Sequence, residues 1–348
     1  LGTAILGYYG MEVIKLESAE RPEQRRTEAL FADMNRAKLG ATINLRSEEG
    51  KELFKQLVAS SNVVVDNFSA GVMKRLGLDY ESLIKIKPDV VMLSMAGLGQ
   101  VGPMSSYMSY GPIIQALSGI TYHTGYPDRP PVGIGYSYSD FVGGINGAYA
   151  AMVALHYRRR TGHGQFIDLS QLETSVAFLG PGLLDWTVNG RTPGRYGNRP
   201  THVDAVPHGV YRCLGDDRWC AIAVFTEEEW SAFRRVIGEP QWTREPRFEK
   251  AESRAKHADE LDRLVEEWTS TQVAEDVMEA LQKAGVAAGV VQNAQDLIER
   301  DPHLKERGFY VELEHPEVGP RLFEGTPIKM SETPGGPRRA APLLGQDN

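Results

Sequence analysis

The chain alternates short apolar runs with amphipathic stretches. Residues 11–17, MEVIKLE, form an apolar run that predicts a strand. In residues 47–61, SEEGKELFKQLVASS, the apolar Leu53, Phe54, Leu57 and Val58 recur at helical spacing behind Ser47, a residue type that caps helix N-termini. NVVVDNF at 62–68 has the unbroken apolar character of a buried strand. Residues 71–88 supply one or two helices, and DVVMLSMAG at 89–97 a further strand. Alternation of this kind predicts an α/β fold, a parallel sheet covered by helices.

The pattern continues with a helix from Ser139 to about Arg160, ended by TGHG. A strand follows at 165–170 and helical periodicity at 171–188. Gly143, Gly147 and Ala151 recur at spacing four, so one face of the 139–160 helix admits close approach of another backbone. Residues 189–207 shift to Gly, Pro and polar types, which reads as a linker. Beyond it come a hairpin turning at Leu214-Gly215-Asp216-Asp217, a capping-box pattern from Thr226 to Glu229, and helices near 253–269 and 271–284. The expected division is a large domain over 1–200, a smaller α+β domain over 201–305, and an extended segment over 306–348 that returns to the first. The opening LGTAILGYYG starts inside a helical pattern, and both ends read as cut, with the first strand of the sheet expected upstream.

Composition narrows the function classes. With 348 residues, 41% apolar and 24% charged, the chain has the make-up of a soluble globular protein large enough for two domains. No apolar run approaches the roughly 20 residues that a membrane helix needs. A net charge of −8 argues against broad nucleic-acid binding, while a local convergence of Arg and Lys could still hold an anionic small ligand. Cys213 and Cys220 have no metal-type partners and read as packed thiols in a reducing, cytoplasmic setting. His123, His156, His163, His202 and His208 show no metal-ligand spacing, so no metal is expected.

Four stretches bear on chemistry. GLGQVG at 97–102 matches a dinucleotide fingerprint, but Pro103 and a polar run follow it where the fingerprint needs a helix, so it reads as a loop. Arg158, Arg159 and Arg160 occupy the last turn of a helix, where cations suit the dipole, with Gly162 as its natural terminator. VVVDNFSAGVMKR at 63–75 ends a strand on Asp66-Asn67-Phe68 and opens a helix with Lys74 and Arg75. It reads equally as a nucleotide platform at the carboxyl end of a strand or as a β-α turn with surface charges. Asp140, the only charge in GYSYSDFVGGINGAYAAM, reads as a reagent or as part of a helix start that Ser139 or Asp140 itself caps. A carboxylate there is ionised at neutral pH without assistance, so the residues permit a nucleophile without requiring one.

Taken together and in order, GMEVIKLE, the 34–83 stretch from MNRAKLGATINLR to LDYESL, GLGQVGP, YGPIIQALSGI, SDFVGGINGAYAAMVALHYRRRTGHGQFIDLSQLE and AGVAAGVVQNAQDLIERDPHLKERGFYVELEHPEVG resemble the class III CoA-transferases, the formyl-CoA transferase and carnitine CoA-transferase family. The segments cover most of the chain. The resemblance implies a large Rossmann-like domain, a small domain, and an interlocked homodimer. It aligns the family's catalytic aspartate with Asp140. It places coenzyme A contacts at Ile43 and Arg46, at Asn67 and Phe68, and at Arg75 and Leu76, with Met108 and Tyr110 lining the channel for CoA and substrate. Met108 stands where some members carry Lys, and Ser18 where some carry Arg.

The implied reaction is covalent catalysis with acyl-CoA as substrate, no tightly bound cofactor, and a carboxylic acid as acceptor. Asp140 would attack the donor thioester and pass through mixed anhydrides and an aspartyl-CoA thioester. An α-methylacyl-CoA racemase needs a second acid/base, a His near SYGPIIQALSG, where this chain has Gly111 and Pro112. An intramolecular CoA shift would use the same Asp. A non-catalytic partner subunit should lack the aspartate, and a dehydrogenase would depend on GLGQVG.

Overall fold

The computed structural model describes residues 1–23, 26, 28–200 and 205–348. His202 and part of the expected linker, including the boundary at residue 201, lie outside the described residues. The chain divides into two compact units. One comprises Leu1–Thr124, Pro131–Pro193 and Pro302–Asn348, the other Gly125–Pro130 and Gly194–Asp301.

The first unit is α/β with parallel strands. β1 (Ile14–Glu17) pairs with β2 (Leu39–Thr42), and β3 (Val63–Asp66) with β4 (Val91–Ala96), which pairs in turn with β5 (Gln165–Ser170), all parallel. The helix Glu48–Ser60 begins at Ser47, whose side chain accepts from the Gly50 N–H. Its Phe54 and Val58 join Val64, Met73, Leu78, Leu83, Val90 and Met92 in one buried cluster, whereas Leu53 is exposed. Each such buried aliphatic side chain contributes about 1.5–3 kcal/mol. Residues 71–88 form two short helices, Val72–Leu76 and Tyr80–Leu83, separated by Gly77 in the left-handed region. The 171–188 pattern also splits, into Gln171–Ala177 and Pro181–Asn189, because Gly180 and Pro181 interrupt it. β2 and the helix Ala29–Met34 were not legible in the pattern: both are short, and β2 contains a glycine.

The helix Tyr138–Thr161 runs for 24 residues from an N-cap at Ser137, so Ser139 and Asp140 lie inside its first turn rather than capping it, and it ends at Gly162, with φ 79°. Its buried face is built of small residues. A Cβ on Gly2 would stand 2.5 Å from the Gly144 carbonyl oxygen, and one on Gly147 would stand 2.5 Å from Met95 Sδ. The close backbone approach therefore falls at Gly144, beside the helix Gly2–Tyr8, while Gly143 meets the Gln171 side chain. After the second unit's sequence, the chain adds the antiparallel hairpin β9 (Tyr310–His315) and β10 (Gly319–Glu324) to the first unit. Its last residues then lie along β2, where Asp347 accepts from the Gly40 N–H at 2.8 Å and Asn348 from the Thr42 N–H at 2.7 Å. Side chains thus satisfy part of an edge that would otherwise invite another strand.

The second unit carries the antiparallel sheet β6 (His208–Arg212), β7 (Trp219–Ala223) and β8 (Ala287–Val290). β8 is a third strand beyond the expected hairpin. Thr226 caps the helix Glu227–Val236 by accepting from the Glu229 N–H, and Glu229 reaches back to the Phe225 N–H rather than to that of the cap itself. Trp230, Phe233, Phe248 and Tyr211 fill the core together with Cys213 and Cys220, both free. Burial pushes the Cys220 thiol up to about 12, so it is a packed group at neutral pH. Among the described residues no helix is long and apolar enough to cross a membrane.

Candidate active site

β4 is the hub from which the candidate residues are placed. It ends at Ala96, and the GLGQVG segment after it opens no helix, as its polar sequel predicts. Asp168 of β5 accepts from the Gln100 N–H, the Gln100 side chain accepts from the Gly71 N–H at 3.2 Å, and the Gly97 carbonyl accepts from Leu172. These bonds tie the loop after β4 to the loop after β3 and to the start of the helix following β5. In a parallel arrangement all three lie at the carboxyl ends of strands, where ligands of such sheets bind.

The segment Ser109-Tyr110-Gly111 is clamped on both sides by glycine contacts. A Cβ on Gly97 would stand 1.9 Å from Ser109 Oγ, and one on Gly111 would stand 2.6 Å from Asp140 Oδ2. Only hydrogen at both positions lets the end of β4, this tripeptide and the head of the Tyr138–Thr161 helix stack directly. Tyr110 precedes the helix Gly111–Leu117 and is 68% exposed, and Met108 is 82% exposed. Buried Gln115 of that helix donates its side-chain amide to the Tyr136 carbonyl, fixing the segment that enters the long helix.

Asp140 occupies the third position of the long helix, with its own N–H bonded to the Ser137 carbonyl at 3.0 Å. One side of it is open to solvent in the isolated chain. The packed side dominates its ionisation: burial holds the carboxyl above its usual range, and the Ser137 hydroxyl works against that by favouring the charged form. Tyr136 stacks on Phe141 at 4.7 Å, and Tyr138 meets Phe178 edge-on at 6.3 Å, so aromatic rings flank the carboxylate along the chain. The site thus holds a partly desolvated, ionisable carboxylate.

The other candidates distribute over three strand ends. Asn67 and Phe68 follow β3 and are exposed. Their turn is set by Asp66, whose carboxylate accepts from the Phe68 N–H at 3.1 Å and from the buried Ser94 hydroxyl. Burial raises the Asp66 carboxyl, and those two bonds oppose the rise. Arg75 is exposed on Val72–Leu76, with its guanidinium 3.2 Å from where a Gly71 Cβ would be, whereas Leu76 is half-buried against the Phe54–Met92 cluster. Ile43 and Arg46 follow β2. The Ile43 N–H continues the β1 pairing by bonding to the Glu17 carbonyl at 2.9 Å, and Arg46 is exposed. Leu45 packs on the same cluster as Leu76, which brings the Arg46 and Arg75 segments to one hydrophobic base. Neither guanidinium forms an ion pair among the described residues. A 290 Å³ cavity lies elsewhere in this unit, lined by residues such as Tyr8, Lys38 and Arg339, and contains none of these candidates.

The sequence pattern did not single out Ser137, Gln115 or Asp168, and marked Asp66 only as the end of a strand. For Ser137 a signal existed, the S-x-x-D spacing to Asp140. The others reveal themselves only through tertiary hydrogen bonds.

The model of CoA-transferase family III matches residues 1–348. The chain is 35% identical over 99% of its length to a protein of Mycobacterium tuberculosis named "Probable CoA-transferase", of whose length it spans 45%. It is 33% identical to the acetyl-CoA:oxalate CoA-transferase of Acetobacter aceti, covering 97% of this chain and 88% of that one. The crystal structure of a CAIB/BAIF family protein from Brucella suis superposes with a TM-score of 0.91 at 30% identity, over 99% of this chain and 92% of the other. This chain belongs to CoA-transferase family III.

Proposed function

We propose that this chain transfers coenzyme A between carboxylic acids, with Asp140 as the covalent nucleophile. The observation that carries the reading is the seat of Asp140: an ionisable carboxylate, partly desolvated and pressed against Gly111, at the head of a helix in a chain of this family. Asp140 attacks the donor thioester carbonyl, forming a mixed anhydride and expelling CoA thiolate. The thiolate attacks the aspartyl carbonyl, releasing the donor acid and leaving an aspartyl-CoA thioester. The acceptor carboxylate then displaces CoA to form a second anhydride, and the thiolate attacks the acceptor's carbonyl, freeing Asp140. No proton is gained or lost overall, and the thioester is conserved only if water is kept out.

In this reading Ile43, Arg46, Asn67, Phe68, Arg75 and Leu76 receive the CoA nucleotide, and Met108 and Tyr110 line its path to Asp140. The first unit acts as a Rossmann-like domain, and the molecule as an interlocked homodimer. Support for a second copy comes from apolar faces this unit leaves uncovered. The long helix exposes Ile145, Tyr149, Met152, Val153 and Tyr157 along one side. Pro181–Asn189 buries no residue and exposes Leu183, Leu184, Trp186 and Val188. Two free thiols suit a reducing, cytoplasmic setting. A dicarboxylate acceptor is favoured by the oxalate named for the Acetobacter relative.

The test is chemical trapping. Incubation with acetyl- or succinyl-CoA, quenching with hydroxylamine or borohydride, and peptide mass spectrometry should locate substrate-dependent modification at Asp140. Asp140→Asn should lose transfer by roughly 10⁴-fold or more while remaining folded. Label on another residue, or full activity in that variant, would overturn the assignment. Exchange of an α-proton into deuterated water without transfer would assign a racemase instead.

A further inference from the structure

Ser137 is the N-cap of the long helix, and Ser137-Tyr138-Ser139-Asp140 has the spacing of a capping box. A serine at such a position ordinarily accepts a hydrogen bond from a backbone N–H two or three residues on. Here its side chain makes no bond to the helix backbone. The N–H groups of Asp140 and Phe141 go instead to the Ser137 carbonyl, at 3.0 and 3.3 Å. The Ser137 hydroxyl and the Asp140 carboxylate face the same position of the neighbouring segment. Both side chains press on the same glycine: a Cβ at Gly111 would stand 2.6 Å from Asp140 Oδ2 and 3.0 Å from Ser137 Oγ. The segment before Ser137 is pinned as well, by Gln115 on the Tyr136 carbonyl and by the Tyr138 N–H on that carbonyl at 2.7 Å.

We propose that Ser137 is the positioning residue of Asp140: its hydroxyl donates to one carboxylate oxygen, turning the other toward the thioester. This rests on Asp140 being the nucleophile. A donor of this kind stabilises the free carboxylate more than the acylated one, because the negative charge is consumed when the anhydride or thioester forms. It therefore helps Asp140 to depart as a leaving group at the end of each cycle, and it keeps the covalent intermediate from accumulating. Gly111 is part of the device, since any side chain there would push the pair apart.

The charges around Asp140 do not obscure the effect. The Gly2–Tyr8 helix carries no Asp, Glu, Lys or Arg. Gly111–Leu117 carries no charged side chain, residues 131–137 carry only the Tyr136 phenol, and Gln171–Ala177 carries Glu173. None of these changes in a Ser137 variant.

The experiment measures the fraction of Asp140 held as CoA thioester at set ratios of acyl-CoA to free acid. Ser137→Ala should shift the half-point by roughly tenfold toward the adduct, with kcat reduced by about the same factor. The acid limb of kcat/KM should move to higher pH, because the ionised form loses a donor that favours it. Ser137→Thr should restore all three. An unchanged half-point and acid limb in Ser137→Ala, with the wild type labelled at Asp140, would overturn the proposal and leave the nucleophile standing. If the wild type is not labelled at Asp140, the nucleophile fails, and carbodiimide modification of Asp140 against pH decides on Ser137. A higher midpoint in Ser137→Ala supports the contact, and an unmoved one overturns it.

Discussion

The two units solve the problem of a core differently. The second closes its own: Trp230, Phe233, Phe248 and Tyr211 are buried around β6, β7 and β8, and even the charged Arg254 is enclosed. The first has its own cluster around Phe54 and Met92, but at its long helix it packs small residues against backbone and leaves large ones outside. Its long helix buries Gly143, Gly144, Gly147, Ala148, Ala151 and Ala154 while Tyr149 is 71% exposed, and Val188 on Pro181–Asn189 is 75% exposed. Large exposed apolar surface of this extent marks an interaction face. The unit that holds the candidate nucleophile is thus the one with uncovered apolar faces. The difference teaches that its glycines and alanines serve proximity, at Asp140 and between helices, rather than bulk burial.

The contrast breaks most visibly if the open faces are charged. Tyr149→Asp combined with Trp186→Asp should convert a dimer to monomers, read by light scattering. An unpaired carboxylate in an interface costs about 2–5 kcal/mol, and symmetry counts each substitution twice. Unchanged mass would mean that these faces are not where two copies meet.

A smaller effect is expected in the closed unit. Arg254 donates to the Val206, Phe248 and Glu249 carbonyls, pairs with Glu227 at 3.0 Å and lies 4.7 Å over the Trp230 ring. Glu227 is itself half exposed, so the ion pair is the lesser part and the carbonyls the greater. Arg254→Ala should cost about 3 kcal/mol by stranding those acceptors. Tryptophan fluorescence reports this unit selectively, because four of the five tryptophans, Trp219, Trp230, Trp242 and Trp268, belong to it. An unmoved denaturation midpoint would show that the enclosed guanidinium contributes nothing net.

Legibility in the sequence follows the same division of labour. Periodicity exposed the α/β alternation and the capped helix after Ser47, because those elements state their own burial pattern. It missed β2 and β8, four-residue strands with Gly40 and Gly289 inside them, whose existence depends on partners far along the chain. Asp140 was visible as a lone carboxylate at a helix head, and the ordered family segments supplied the role proposed for it. What surrounds it was not visible. Gly111 stands out only as the place where a racemase would carry His until the Asp140 oxygen is placed against it, and Gln115 reads as an ordinary polar residue until its partner is known. Leu76, which the family resemblance places at the nucleotide, also packs on the hydrophobic cluster, because Leu at that helical position continues the core stripe of Met73.

The smallest effect is the sharpest for the small-residue face. Ser139 lies two residues from Ser137, is fully buried, and its hydroxyl has no hydrogen-bond partner. A stranded buried hydroxyl costs about 1–3 kcal/mol relative to a satisfied one, and alanine of nearly the same size removes it. Ser139→Ala should therefore raise the thermal midpoint by an amount equivalent to about 1 kcal/mol while leaving transfer rates unaltered. The neighbouring serines would then separate cleanly, one coupled to the carboxylate and the other to packing alone. A loss of activity in Ser139→Ala would mean that its hydroxyl finds a partner in the working enzyme, and that the buried face of this helix also takes part in the chemistry.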